Sequence, residues 1–225
     1  MHKKYFAVPE LLLGFDTETT GLDVNSERAI SYGFCAYERG SHVWSEHFFV
    51  RPDRPISPGA QRVHGVSMDD LDAKYQNSEA LSVPMGLIRA VSVLRDHMSR
   101  GAIIVGANVS HFDVQMLRRS YSSVLQRDLH SDLHVGRIRV IDVIKHDEVM
   151  ESRALSSRRR SLGHLCQYYG VEPGGHHALH DARASVEVFL AQVARNEVQR
   201  REASPQIPLA LHFGTSSSTL DGSSK

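Results

Sequence analysis

Phe15-Asp16-Thr17-Glu18-Thr19-Thr20-Gly21-Leu22 follows the apolar run Leu11-Leu12-Leu13. Leu11 to Asp16 reads as a buried strand. Side chains two apart on a strand face the same way, so Asp16 and Glu18 project together from its end. Two neighbouring carboxylates repel unless a cation sits between them, and oxygen-rich pairs suit hard divalent ions such as Mg²⁺ or Mn²⁺. The same residues also fit a strand that ends in a Thr-Thr-Gly turn with two solvated acids. Residues far downstream decide between the two.

The chain of 225 residues is long enough for one sizeable domain, and 41% hydrophobic content is that of an ordinary globular protein. With 26 basic and 26 acidic residues the formal net charge is zero. No overall positive field advertises a nucleic-acid binder, and any such contact has to come from local patches. Cys35 and Cys166 lie far apart without C-x-x-C spacing, which argues against a disulfide framework and a thiolate zinc site. Pro9, Glu10 and Asp16 break the first apolar stretch short of a signal or membrane segment, so the expectation is a cytoplasmic protein with no membrane partner.

Ala29 to Glu38 and His42 to Val50 alternate polar with apolar residues around Arg39-Gly40-Ser41, the pattern of a hairpin. Pro52, Pro55 and Pro58 exclude regular structure over residues 51 to 60, and Gly65, in Arg62-Val63-His64-Gly65-Val66, suits a close backbone approach. Apolar spacing predicts a long helix up to Met98, with Pro84 placing its start near residue 83. Ala102 to Val105 is a short buried strand, and the loop after it delivers Phe112-Asp113 to the start of another helix. Residues 128 to 134 alternate acid or imidazole with leucine; a half-exposed extended segment accounts for this more cheaply than a transition-metal site. Asp142, at the end of a strand over Arg137 to Ile141, reads as a helix cap. Arg153, Arg158, Arg159 and Arg160 form a dense basic cluster, either a solvated face or a phosphate-contacting patch. It precedes an amphipathic helix around Leu162 to Tyr169, closed by Gly170. A last long helix, with Ala178, Ala182, Val186, Phe189 and Val193 along one side and Asp181 in its first turns, opens within His176-His177-Ala178-Leu179-His180-Asp181 and runs to about Arg195. From Ser204 onward the composition predicts disorder.

Taken in order, these residues resemble the DnaQ-like 3′-5′ exonucleases of the DEDD superfamily, in the histidine-containing subclass that includes the proofreading epsilon-subunit exonuclease domain. The resemblance runs from about Leu11 to Ala194. It rests on Asp-Thr-Glu-Thr-Thr-Gly at 16 to 21, Val63-His64-Gly65-Val66, Phe112-Asp113, the Ser161 to Tyr169 stretch with arginines before it, and His176-x-Ala178-x-x-Asp181-Ala182. It implies an α/β, RNase H-like fold, a mixed five-stranded sheet flanked by helices, over residues 1–200, with a tail over 201–225. The family's His-Asn a few residues before the third acid is replaced here by Ala107-Asn108, with Asn108 one residue further from Asp113 than the family pattern has it.

The resemblance also implies a two-metal centre with Mg²⁺ or Mn²⁺ held by Asp16, Glu18, Asp113 and Asp181. Asp16 would bridge both ions, Glu18 and Asp181 would complete the site of one, and Asp113 would support the other. His176 would be the general base, with His177 as the fallback. Imidazole suits the task because its ordinary pKa of about 6.5 lies near working pH. A zinc shared by His176 and His180 as helical neighbours conflicts with Gly175. Thr17, Thr19, His64, Gly65, Val66 and Phe112 would contact the terminal nucleotide, and Arg158, Arg159 and Arg160 the phosphates. The implied activity is metal-dependent hydrolysis at DNA 3′ ends, releasing 5′-mononucleotides in proofreading or repair. RNA 3′-end trimming is the alternative, and a non-catalytic binding module would be expected to lack one of the acids. The expected partner is nucleic acid with a 3′ end. Gln206-Ile207-Pro208-Leu209-Ala210-Leu211 resembles the peptides by which bacterial polymerases dock on the sliding clamp, so a polymerase or clamp is a further expected partner. Packing back on the parent domain is the other reading of that hexapeptide.

Overall fold

The computed structural model describes residues 8–150 and 160–203. Strands β1 (Leu11–Thr19), β2 (Ala29–Glu38) and β3 (Ser41–Arg51) form an antiparallel meander. Beyond β1, β5 (Ile103–Gly106) and β6 (Val140–Asp142) add in parallel, and β4 (Ala80–Ser82) pairs in parallel with β3. The sheet is therefore six-stranded, in the order β4-β3-β2-β1-β5-β6. The expected count of five omits β4, whose three residues run straight into helix α3 (Val83–Ser99) and are too few to show a period of two.

Other departures have local causes. Helix α1 (Pro58–His64) begins inside the proline-rich stretch, because Pro58 occupies its first turn, where no N–H is needed, and Ser57 caps it. Helix α2 (Met68–Gln76) is opened by a reciprocal Ser67–Asp70 capping box. Residues 129–133 are not extended but form α5 (Leu129–Leu133), which buries Leu129 and Leu133 one turn apart while Asp128 accepts the Ser131 N–H at 2.8 Å. Its acids are already engaged, Asp132 by Arg127 and Tyr121, so the segment offers no metal set.

Both faces of β1 are covered. Leu11, Leu13 and Phe15 join the core under α3 and α4 (Asp113–Leu125), whereas Leu12 joins Leu165, Val186 and Phe189 under α7 (Leu162–Tyr169) and α8 (Ala178–Ala203). Burying Phe189 alone stabilises the α8 side by about 1.5–3 kcal/mol. Helix α8 lies unusually close to the sheet. A Cβ on Gly33 would come 2.2 Å from the Ala178 carbonyl carbon, and one on Gly14 would come 2.6 Å from the Ala182 carbonyl oxygen. Backbone cannot yield cheaply there, so glycine at both places lets the first turns of α8 cross β1 and β2. Asp181 is thereby carried over the end of β1.

Cys35 and Cys166 are free thiols in the α8-side core, and burial pushes them up to about 12 and about 11. Among the described residues no helix is long and apolar enough to cross a membrane. Helix α8 continues to Ala203, past the expected start of the tail at 201, and the tail from 204 lies outside the described residues.

Candidate active site

Strand β1 stays paired with β2 through Asp16, Thr17 and Glu18. The register with β2 shifts between Glu18 and Thr19, so a bulge re-aims the strand end. Asp16 and Glu18 continue the α8-facing series begun by Leu12 and Gly14. Their carboxylate oxygens and one of Asp181 lie within 4.8 Å of one another, and all three residues are half-buried. The arrangement needs two elements from opposite ends of the chain, joined by the close approach at Gly14 and Gly33.

Thr17 points to the other face, where Asp113 is buried at the N-terminus of α4. The Asp113 Oδ1 accepts both the Thr17 N–H at 3.0 Å and the Thr17 hydroxyl at 2.6 Å. This leaves the Asp113 Oδ2 for other partners and holds the fourth acid one residue from Asp16 and Glu18. Asp113 stands outside the three-carboxylate group. Asp142 does cap the next helix, accepting the Ile144 N–H at 3.1 Å, and it also holds the Asn108 N–H at 3.1 Å. Asn108, in the left-handed region at φ 58°, starts the turn that absorbs the extra residue of this loop.

Several residues expected to touch substrate, and Thr20 beside them, make hydrogen bonds that brace the site. The Thr17 hydroxyl serves Asp113, and the Thr19 hydroxyl donates to the Gly21 carbonyl at 2.7 Å. The Thr20 hydroxyl donates to Glu27, while its backbone pairs with Arg28 and Ser57. His64 accepts the Val66 N–H on Nδ1 at 3.1 Å, so Nε2 carries the proton and donates to the Thr19 carbonyl at 3.2 Å. Both ring nitrogens are thus used to fix α1 against the end of β1. Gly65 ends α1 at φ 76° as a left-handed cap, with open space where a Cβ would stand. Val66 packs on the small cluster of Ile30, Ile56 and Leu71. Phe112 remains half-buried outside the cores, and Leu22, 86% exposed beside the Thr-Thr-Gly turn, is the apolar side chain the sequence reading passed over. Its signal was its place directly after Gly21.

Among the paired histidines the environments differ. His176 is exposed, stands ahead of α8 at φ 61°, and is near enough to Asp181 and His64 to act on the charge of both. Its backbone N–H also bonds the Asp181 carboxylate. Because it precedes the helix, it and His180 are not i, i+4 helical neighbours, which removes the zinc alternative. His177 packs between His47 and His180, with ring centroids 4.5 and 4.3 Å away.

Arg153, Arg158 and Arg159 lie outside the described residues. Arg160 turns inward. Its Nε meets the Asp147 Oδ2 at 2.8 Å, with only 12% of its side chain exposed, so it belongs to a buried ion pair and not to the expected phosphate patch. The Tyr169 hydroxyl donates to the same carboxylate at 2.7 Å.

Burial, with repulsion from the neighbouring acids, raises Asp16 well above the usual carboxylate range. The same causes push Glu18 up to about 7. Burial also takes Asp113 to about 7 against the pull of the Thr17 bonds, and it raises Asp181 while His176 opposes it. A folded-state pKa raised above the unfolded one gives stability that is full below the ordinary carboxylate range and lost as pH rises through about 7. Metal-free protein should therefore melt lower at pH 8 than at pH 5.5, and Mg²⁺ should raise the melting temperature far more at pH 8, where fewer protons must leave. Thermal melts with Mg²⁺ and with chelator at both pH values check this; equal increments would contradict it. Mutually repelling oxygen donors of this kind fit a hard divalent cation.

Residues 13–189 match the family model described as exonuclease, RNase_T. The chain is 28% identical over 176 residues to the PolC-type DNA polymerase III of Thermotoga petrophila, covering 78% of this chain and 11% of that protein. It is 26% identical over 197 residues to the DNA polymerase III subunit epsilon of Treponema pallidum, covering 86% and 82%. To the small RNA degrading nuclease 3 of Arabidopsis thaliana it is 26% identical over 189 residues, covering 82% and 20%. The structure of E. coli exonuclease I in complex with a dT13 oligonucleotide superposes with a TM-score of 0.68 at 16% identity, over 86% of this chain and 43% of that one. The chain thus spans about a tenth of the PolC-type proteins and under half of exonuclease I, whose likeness shows the shared RNase H-like fold. With four acids placed at the ends of β1, α4 and α8, and a family match over most of its length, the chain belongs to the RNase_T exonuclease family.

Proposed function

We propose that the protein is a divalent-metal-dependent 3′-5′ exonuclease that hydrolyses phosphodiester bonds at DNA 3′ ends and releases 5′-mononucleotides, in proofreading or repair. The convergence of Asp16, Glu18 and Asp181 carries the reading. Mg²⁺ or Mn²⁺ ions held there, two per site, supply charge neutralisation at the phosphoryl group and acidify water. The chain's own part is to hold them with Asp16, Glu18 and Asp181, and with Asp113 steadied by Thr17. The His176 imidazole takes the proton from the attacking water; its exposure and freedom from packing allow it to meet a bound strand. Phe112 and Leu22 offer apolar surface on which a terminal base packs without regard to sequence. The polymerase III names among the relatives support DNA, and the dT13 complex of exonuclease I supports a single-stranded end.

RNA 3′-end trimming is the second reading, favoured by the likeness to a small RNA degrading nuclease. The test is product analysis on matched 3′-labelled and 5′-labelled DNA and RNA with Mg²⁺, Mn²⁺ and chelator. Mononucleotides released from the 3′ end of DNA, only with metal, are expected. Faster cleavage of RNA would select the alternative, and cleavage that persists in chelator would end the metal-dependent reading.

Residues 206–211 are proposed to dock on a sliding clamp, a partner class that suits relatives named as polymerase III components. Deleting residues 204–225 should leave cleavage of short free oligonucleotides unchanged and abolish retention on an immobilised bacterial clamp. Equal retention with and without the tail, or none for either form, would refute it.

A further inference from the structure

The loop that brings Phe112 and Asp113 to α4 is tied to helix α6 (Val143–Met150) through one atom. The Oδ1 of Asp142, a residue only 7% exposed, accepts both the Asn108 and Ile144 N–H groups at 3.1 Å. Across this tie Lys145 of α6 reaches the loop. Its Nζ lies 2.9 Å from Nδ1 and 3.3 Å from Nε2 of His111, and 3.4 Å from the Ser110 Oγ, which is itself 2.8 Å from His111 Nδ1. None of these partners is a carboxylate. Among the described residues no carboxylate lies within ion-pair distance of Lys145, whereas Arg51, Arg89, Arg100 and Arg127 are each paired with one. Lys145 and His111 are exposed and Ser110 is half-buried.

An ammonium, a hydroxyl and an imidazole on a braced frame can all donate to one phosphate oxygen set, and a compact ammonium binds phosphate as a point charge. The frame stands two residues from Asp113, at a site whose carboxylates repel a polyanion beyond the reach of bound cations. We propose that Ser110, His111 and Lys145 form a subsite for a non-scissile backbone phosphate of the nucleic-acid strand. The subsite rests on the nuclease reading. A phosphate contact of this kind positions the strand without reading its bases.

The test compares wild type, Lys145→Ala and Lys145→Arg. Binding of a fluorescent single-stranded DNA oligonucleotide is followed by anisotropy in Ca²⁺ over a range of NaCl. Cleavage of the oligonucleotide is measured against that of the p-nitrophenyl ester of thymidine 5′-monophosphate, which has no further phosphodiester. For Lys145→Ala the salt slope of log K should fall by roughly one unit. The ratio of kcat/KM for oligonucleotide over ester should drop about tenfold, with Lys145→Arg restoring most of both. A wild-type slope and ratio would overturn the subsite, and so would equal losses on both substrates. Wild-type protein that cleaves neither substrate would refute the nuclease reading, while the binding arm would still decide the subsite.

Discussion

Replacing Asp16 by Asn is expected to remove nearly all nuclease activity while leaving the fold intact, and to make the metal-free protein more stable at pH 8. The two effects share one cause. Asp16 is a half-buried carboxylate whose neighbours are Asp113, Asp181 and Glu18, so its charge is costly until a cation compensates it. An amide keeps the size of the side chain and removes the charge, relieving the repulsion in the empty cluster. It also removes the full negative charge that holding a divalent ion requires. A loss of at least about 10²- to 10³-fold in turnover is expected, the range for deleting a preorganised electrostatic group. The melting temperature in chelator at pH 8 should rise, and the gain on adding Mg²⁺ should shrink. A folded Asp16→Asn protein that cleaves at the wild-type rate would sink the assignment of the metal-holding acids.

His176→Ala and His177→Ala should separate turnover from stability. His176 is exposed and unpacked, so its loss should lower turnover by about 10²- to 10⁴-fold, as removal of a general base does, with little change in the melting temperature. His177 stacks on His47 and His180, and burial lowers its pKa further into the neutral form. Its replacement should cost roughly 0.5–1.5 kcal/mol of packing and leave turnover near wild type. Metal-dependent stabilisation should survive in both. Should turnover collapse in His177→Ala and survive in His176→Ala, the base would have to be reassigned to the stacked ring, which would then need to leave its stack on substrate binding.

Much of the site was legible because it depends on short-range pattern. The alternation from Leu12 to Glu18 put two carboxylates on one face, and the composition around Phe112-Asp113 marked a strand-to-helix junction. The capping role of Asp142 could also be read from its place at a strand end. Less legible was anything whose meaning depends on a partner far along the chain. Thr17 and Thr19 look like substrate contacts in a motif, but their hydroxyls are taken by Asp113 and the Gly21 carbonyl. Arg160 looked like part of a surface patch until the burial of Asp147 set it against α6 and α7. Strand β4 and helix α5 were missed because three and five residues carry too little periodicity to outweigh the polar composition around them.

The sequence by itself determined which residues could act: two acids of one parity at the end of an apolar strand, a third opening a helix, and a fourth five residues after a histidine. Local rules suffice for this, since strand alternation and helix capping are set within a few residues. Only the tertiary structure decided that these acids share one site. Bringing Asp181 to Asp16 requires α8 to cross β1 and β2 at Gly14 and Gly33 with no room for a Cβ, a contact between segments more than a hundred residues apart that no local pattern encodes. Which imidazole stays free and which is packed away was settled there too, because the stacking partner of His177 comes from the middle of β3.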